Sequence, residues 1–178
     1  RVDDNGTPLN GADDHLYVLQ SVEGPTGGNE ELYLTSSHDG GATWGAAVYV
    51  PVNAKGAADV DFIALGSSGM TVNVMWQDNR FGGTAFDDLF LQHSMDGGAT
   101  WQPADLKLND TSVIQGDGEF EMSLAMSGSL VAAAWQEERT STTNEEIQVN
   151  VSTDGGMTFA GDTMIGLYPS TADVDFAA

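Results

Sequence analysis

The sequence contains no cysteine, so no disulfide holds the chain together and no redox compartment can be read from bridges. It has only 5 Lys and Arg against 27 Asp and Glu, a formal net charge of −22. A surface of that sign repels phosphate, which argues against nucleic acid and anionic membrane surfaces as partners. Divalent cations or a saline medium suit it better. No apolar run approaches the roughly 18 residues of a membrane span, and no stretch has helical periodicity. No leader is visible, and the first residue is Arg rather than Met, as expected of a processed product or an excised piece. At 178 residues the chain has the length of about one domain.

What the sequence does have is repetition. "SHDGGATW" begins at Ser37, "SMDGGATW" at Ser94 and "STDGGMTF" at Ser152, starts that lie 57 and 58 residues apart. Around each copy run short alternations of apolar and polar residues. "EELYLTSS", "DDLFLQHS" and "EEIQVNVS" lead into the copies, and "AAVYVPV", "ADLKLND" and "TMIGLY" follow them. Upstream lie "HLYVLQ", "MTVNVMWQDNR" and "SLVAAAWQEER", and before the last two "DVDFIAL" and "EFEMSLAM". Each unit reads as four half-buried strands, A to D, with the repeated stretch joining C to D. Four-stranded antiparallel units at a fixed period predict an all-β fold, a β-propeller with three blades in this chain. The expected units are 13–58, 59–118 and 119–172, with 173–178 as strand A of a further or closing blade. The first unit shows no strand A before His15.

Residue chemistry gives the repeated stretch a structural role. The glycine pair, including Gly41, Gly98 and Gly156, supplies the positive φ of a tight hairpin. Asp39, Asp96 and Asp154 can accept hydrogen bonds from turn N–H groups. The hydroxyls of Ser37, Ser94, Ser152, Thr43, Thr100 and Thr158 can tie down the flanking strands. Trp44, Trp101 and Phe159 are expected as apolar plugs between sheets. A residue used in every unit is not a unique catalyst.

The motif S-x-D-G-G-x-T-[WF] resembles the Asp-box, or bacterial neuraminidase repeat, of sialidase-like β-propellers. The resemblance covers nearly the whole chain and implies a ring of about six or more blades. Three blades would then be half of it, completed by further blades of the same chain or by a second copy head to tail. A sialidase site would need three arginines, a Tyr–Glu nucleophile pair and an Asp acid/base. The arginines here are Arg1, Arg80 and Arg139. No Phe/Tyr-Arg-Ile-Pro stretch is present. Arg80 and Arg139 share one slot in successive units, with Glu23 in the first. They either face a ligand or pair across their hairpins, Arg80 with Asp87 or Asp88 and Arg139 with Glu145 or Glu146. Phe81 and Phe86 are candidate contacts on the same loops, or are partly buried against a neighbouring blade.

Strand A carries acid pairs two residues apart, hence on one face: Asp59 and Asp61, Glu119 and Glu121, Asp173 and Asp175. Lining a central channel, they would hold Ca²⁺ through oxygen ligands or stand as solvated carboxylates in a wide water-filled channel. His15, His38 and His93 show no metal spacing. "DDNGT" at Asp3 and "GDGEFE" at Gly116 lack EF-hand spacing and read as turns. Sequons occur at Asn5, Asn109 and Asn150. The functional expectation is a secreted or cell-surface, non-catalytic propeller that binds a glycan or protein ligand. The alternative is a sialidase-type glycoside hydrolase whose catalytic set is completed elsewhere.

Overall fold

A computed structural model describes residues 2–3, 6, 10–24, 29–52, 59–80, 88–109, 121–137 and 144–169. Three four-stranded antiparallel sheets follow one another along the chain. The first holds β1 (Val2–Asp3), β2 (His15–Glu23), β3 (Glu30–Ser37) and β4 (Val48–Tyr49). The second holds β5 (Val60–Ser68), β6 (Thr71–Asp78), β7 (Asp88–Ser94) and β8 (Leu106–Lys107). The third holds β9 (Met122–Ser127), β10 (Leu130–Glu137), β11 (Asn144–Ser152) and β12 (Thr163–Pro169). Sequence neighbours are spatial neighbours throughout.

Residue alternation sets which way each strand buries its side chains. On β6, Val72, Val74 and Trp76 join a core cluster with Tyr17, Leu32, Leu34 and Val50 of the first sheet. Met75, one position out of phase, joins Leu124, Val131, Ala133 and Trp135 of the third. The second sheet is thus packed on both faces, and β6 is buried from Val72 to Asp78. Each large apolar side chain so enclosed contributes about 1.5–3 kcal/mol.

Two expectations change. A strand does precede His15: β1 pairs with β2, Val2 opposite Leu16 and Asp3 opposite His15. At two residues it carries too little alternation to be read from sequence. Gly66 lies within β5, against Met126 and Leu124 of the third sheet. The turn falls at Gly69, whose φ is +59°. The arginine slot of the first unit is held by Gly24 rather than Glu23, because Leu16 and Val72 are the residues opposite Ser37 and Ser94.

β5 is also irregular. The pairing with β6 shifts between Asp61 and Ile63, and Phe62 takes a left-handed φ of +41°. A bulge of this kind bends the strand and re-aims the residues that flank it.

Candidate functional site

The repeated turn is built in one way three times. Ser37 Oγ donates to Asp39 Oδ1 (2.8 Å) and accepts from Gly41 N–H (2.9 Å). Thr43 donates twice to the same carboxylate, from its N–H to Oδ1 (2.8 Å) and from its hydroxyl to Oδ2 (2.5 Å). Asp96 and Asp154 accept the same donors from Ser94, Thr100, Ser152 and Thr158. The threonine bonds, with help from serine, hold the Asp39 pKa down to about 2 and lower those of Asp96 and Asp154.

The first glycine of each turn donates to the carbonyl opening strand B: Gly40 to Asp14, Gly97 to Met70, Gly155 to Ser129. The second approaches the preceding sheet. A Cβ on Gly98 would lie inside the Leu34 side chain, and one on Gly156 inside Asn73. Here glycine is required by space as well as by its positive φ.

The three aromatics are not equivalent. Trp101 packs on the core between the first and second sheets, and Phe159 on the core between the second and third. Trp44 is 47 % exposed. The plug expected at Trp44 is therefore not in place, since no described sheet precedes the first.

Toward the opposite sheet ends lies an ionic network, the most concentrated among the described residues. Trp76 Nε1 donates to Asp78 Oδ2 (2.9 Å). Arg80 returns to Asp78 through Nε (2.8 Å to Oδ1) and Nη2, and reaches Asp105 Oδ2 through Nη1 (2.6 Å). Asp105 Oδ1 accepts from Gln92 (2.8 Å) and from the N–H of Val52 in the first sheet's segment (2.9 Å). The guanidinium carbon lies 3.9 Å from the centre of the Phe90 ring, and the Arg80 side chain is only 8 % exposed. Burial works to lower the Arg80 pKa, but its hydrogen bonds to the two aspartates outweigh it and hold the pKa above normal.

The expected partner of Arg80 is thus corrected. Asp88 pairs with Lys107 (2.8 Å) and Asn109 (3.2 Å), while Asp78 and Asp105 take Arg80. The available signal was an acid two residues before the arginine in both "WQDNR" and "WQEER", with Trp135 Nε1 likewise bound to Glu137 (3.0 Å).

The other candidates are scattered. Asp59 joins sheets, its Oδ1 accepting from Glu30 N–H (2.8 Å) and its N–H donating to Asn79 Oδ1 (3.2 Å). Asp61 is exposed and Glu121 half-buried. Glu119, Asp173, Asp175, Arg139, Phe81 and Phe86 lie outside the described residues. Among the described residues no three of His, Asp or Glu gather as a cation site.

Two histidines come together unforeseen, the rings of His15 and His38 lying 5.1 Å apart beside Tyr17. Asn109 and Asn150 are buried and hydrogen-bonded, which bars a glycan from either sequon. Asn5 lies outside the described residues.

This geometry defines a class of protein, an array of β-propeller blades. No protein-family model and no curated protein matches the chain. Among solved structures it is similar to an α-L-arabinanase of Penicillium chrysogenum complexed with arabinobiose, a β-propeller enzyme. The TM-score is 0.52 at 17 % identity, covering 86 % of this chain and 47 % of the arabinanase. A sucrose-6-phosphate hydrolase from Lactobacillus gasseri superposes with a TM-score of 0.44 at 14 % identity, over 88 % of this chain and 32 % of that one, and adds no argument. The chain therefore has the fold of consecutive propeller blades and spans about half the length of the arabinanase. The arabinanase is not a sialidase, and the narrower likeness to Asp-box sialidases rests on the sequence motif alone.

Proposed function

We propose that the chain is part of a secreted or cell-surface β-propeller that works by binding, with a glycan or a protein as its ligand. The observation that carries this reading is the commitment of Arg80. A catalytic or substrate-gripping arginine needs donors aimed at a cleft, whereas Arg80 is bound by Asp78 and Asp105 and covered by Phe90. The turn aspartates are likewise used up in holding their own turns, identically in each unit. With these groups engaged, recognition falls to the loops that join the strands.

A second reading is a glycoside hydrolase whose catalytic residues lie on blades beyond those described. It is favoured by the propeller fold shared with an arabinanase, which by itself does not imply an activity. The two part company on one measurement. The intact protein is screened for binding on an array of neutral and acidic glycans, and for turnover with fluorogenic sialosides and arabinosides. Binding without turnover supports the first reading; turnover on any of them overturns it.

Calcium belongs to the same proposal, as a stabiliser of the strand-A carboxylates. A thermal melt that rises with Ca²⁺ and falls with chelator supports it. Identical melts reject it.

A further inference from the structure

We infer that the cleft between the second sheet and the third turn, lined by His93, binds one unit of a neutral sugar. The inference rests on the glycan form of the functional reading and gives that ligand a place and a charge.

The cleft measures 280 Å³. Leu91 and His93 of β7, Leu106 of β8 and Pro103 between them form one side, and Gly156 and Met157 of the third turn form the other. Two consecutive units of this chain build it, so it owes nothing to what precedes the first sheet or follows the third.

Its existence follows from a difference between the two joints. Where the second turn meets the first sheet, Gly98 is pressed on Leu34. Where the third turn meets the second sheet, Gly156 is pressed on Asn73 instead. Asn73 Nδ2 also donates to the Gly155 carbonyl (2.8 Å) and holds the turn there. Leu91, which matches Leu34 in register, is left lining a space. The place of His93 is taken in the first unit by Ser36, and that of Met157 in the second unit by Ala99.

Two features make this space a ligand site. The first is an unmatched polar group. His93 is 2 % exposed, yet neither ring nitrogen makes a hydrogen bond among the described residues. The Gly155 carbonyl beside it already accepts from Asn73. A buried polar group without a partner is costly, and a partner that arrives from outside the chain removes the cost.

The second feature is the character of the walls. Leu91, Pro103, Leu106 and Met157 offer apolar surface to the C–H face of a sugar ring. A neutral imidazole offers one donor and one acceptor to its hydroxyls, and the exposed Gln102 amide adds more of both. Apolar walls with a few polar groups are the usual make-up of a small-molecule site, and this volume suits one ring better than several. The one carboxylate in the lining, Asp105, is taken by Arg80, Gln92 and the Val52 N–H, so it offers little to an amine. No Lys or Arg is in the lining, and a net charge of −22 repels acidic sugars. An uncharged, hydroxyl-rich ligand remains.

The test is a titration of the 178-residue protein followed by its imidazole NMR signals. His93→Phe identifies the His93 signal among the three histidines. Methyl glycosides of galactose, glucose and arabinose are the probes; the methyl glycoside of sialic acid and glycerol are the controls. At least one neutral glycoside should move the His93 signal saturably, with half-saturation on the order of 1 mM for a ligand of about a dozen heavy atoms. Ala104→Phe, at the exposed rim of the cleft, should weaken this binding about tenfold or more. Should His93→Phe unfold the chain, Ala104→Phe and calorimetry carry the test. A His93 signal that no neutral glycoside moves overturns the inference. So does an equal response to glycerol or the sialoside, or an affinity that Ala104→Phe leaves intact. Glycan binding on an array with a silent His93 removes this site alone and leaves the functional reading standing. No glycan binding by either method removes the glycan form of that reading as well.

Discussion

The first and second sheets share a strand plan and a turn, yet their central strands live in different surroundings. β6 is buried along nearly its whole length, while β2 is exposed from Gln20 onward. The residues differ to match. Where β6 and its continuation carry Trp76, Asp78 and Arg80, the first unit carries Gln20, Val22 and Gly24. A tryptophan N–H and an ion pair buried together satisfy one another; on a face open to water the same groups would gain little. The comparison teaches that the buried network goes with a sheet enclosed on both sides, and the repeated turn does not.

The largest effect should come from Arg80→Ala. It strands the carboxylates of Asp78 and Asp105, both fully buried, and should cost about 3–5 kcal/mol in urea unfolding. Lys107→Ala, which removes a partly exposed partner of Asp88, should cost about 1 kcal/mol or less. Equal losses would erase the distinction between an enclosed network and a peripheral pair.

Next come the aromatics of the turns. Trp101→Ala empties part of the core between sheets and should cost about 3 kcal/mol. Trp44→Ala should stay within about 0.5 kcal/mol. A large loss at Trp44 would mean that this face of the first sheet is covered.

Ser94→Ala is a finer test of the turn. It removes the acceptor of the buried Gly98 N–H and should cost about 1–3 kcal/mol.

The smallest effects are those of pH. Burial lowers the His93 pKa against the opposing pull of the Gly155 carbonyl and Asp154. The unfolded chain therefore takes up a proton near pH 6.5 before the folded chain does, and stability should fall as pH drops through that value. His93→Phe should flatten this slope. The turn aspartates act at lower pH. Their folded pKa values are depressed, so the stability they add is present above the ordinary 3.8 and is lost as pH falls toward about 2. Denaturation midpoints measured across both windows separate the two contributions.

Much of this was legible before the structure. The alternations around Leu32, Val74 and Val149 located strands, because one buried face forces a period of two. The repeated Ser, Asp and Gly located the turn, because the bonds of its Ser, Asp and Thr side chains lie within seven residues. β1 was not legible, since two residues hold no period. The partners of Arg80 were not, because acids before it, across the hairpin and at Asp105 all compete for it, and packing chose Asp78 and Asp105. The different fate of Trp44, with the same motif as Trp101, could not be read from the motif.

The sequence by itself determined the local geometry: where strands run, where glycine bends the chain, and which carboxylate caps each turn. These depend on contacts between residues close along the chain. The tertiary structure alone decided which equivalent residues are buried, which acid neutralises Arg80 and which sheet face is left open. Those outcomes depend on what lies on the far side of each sheet, and no local pattern contains it.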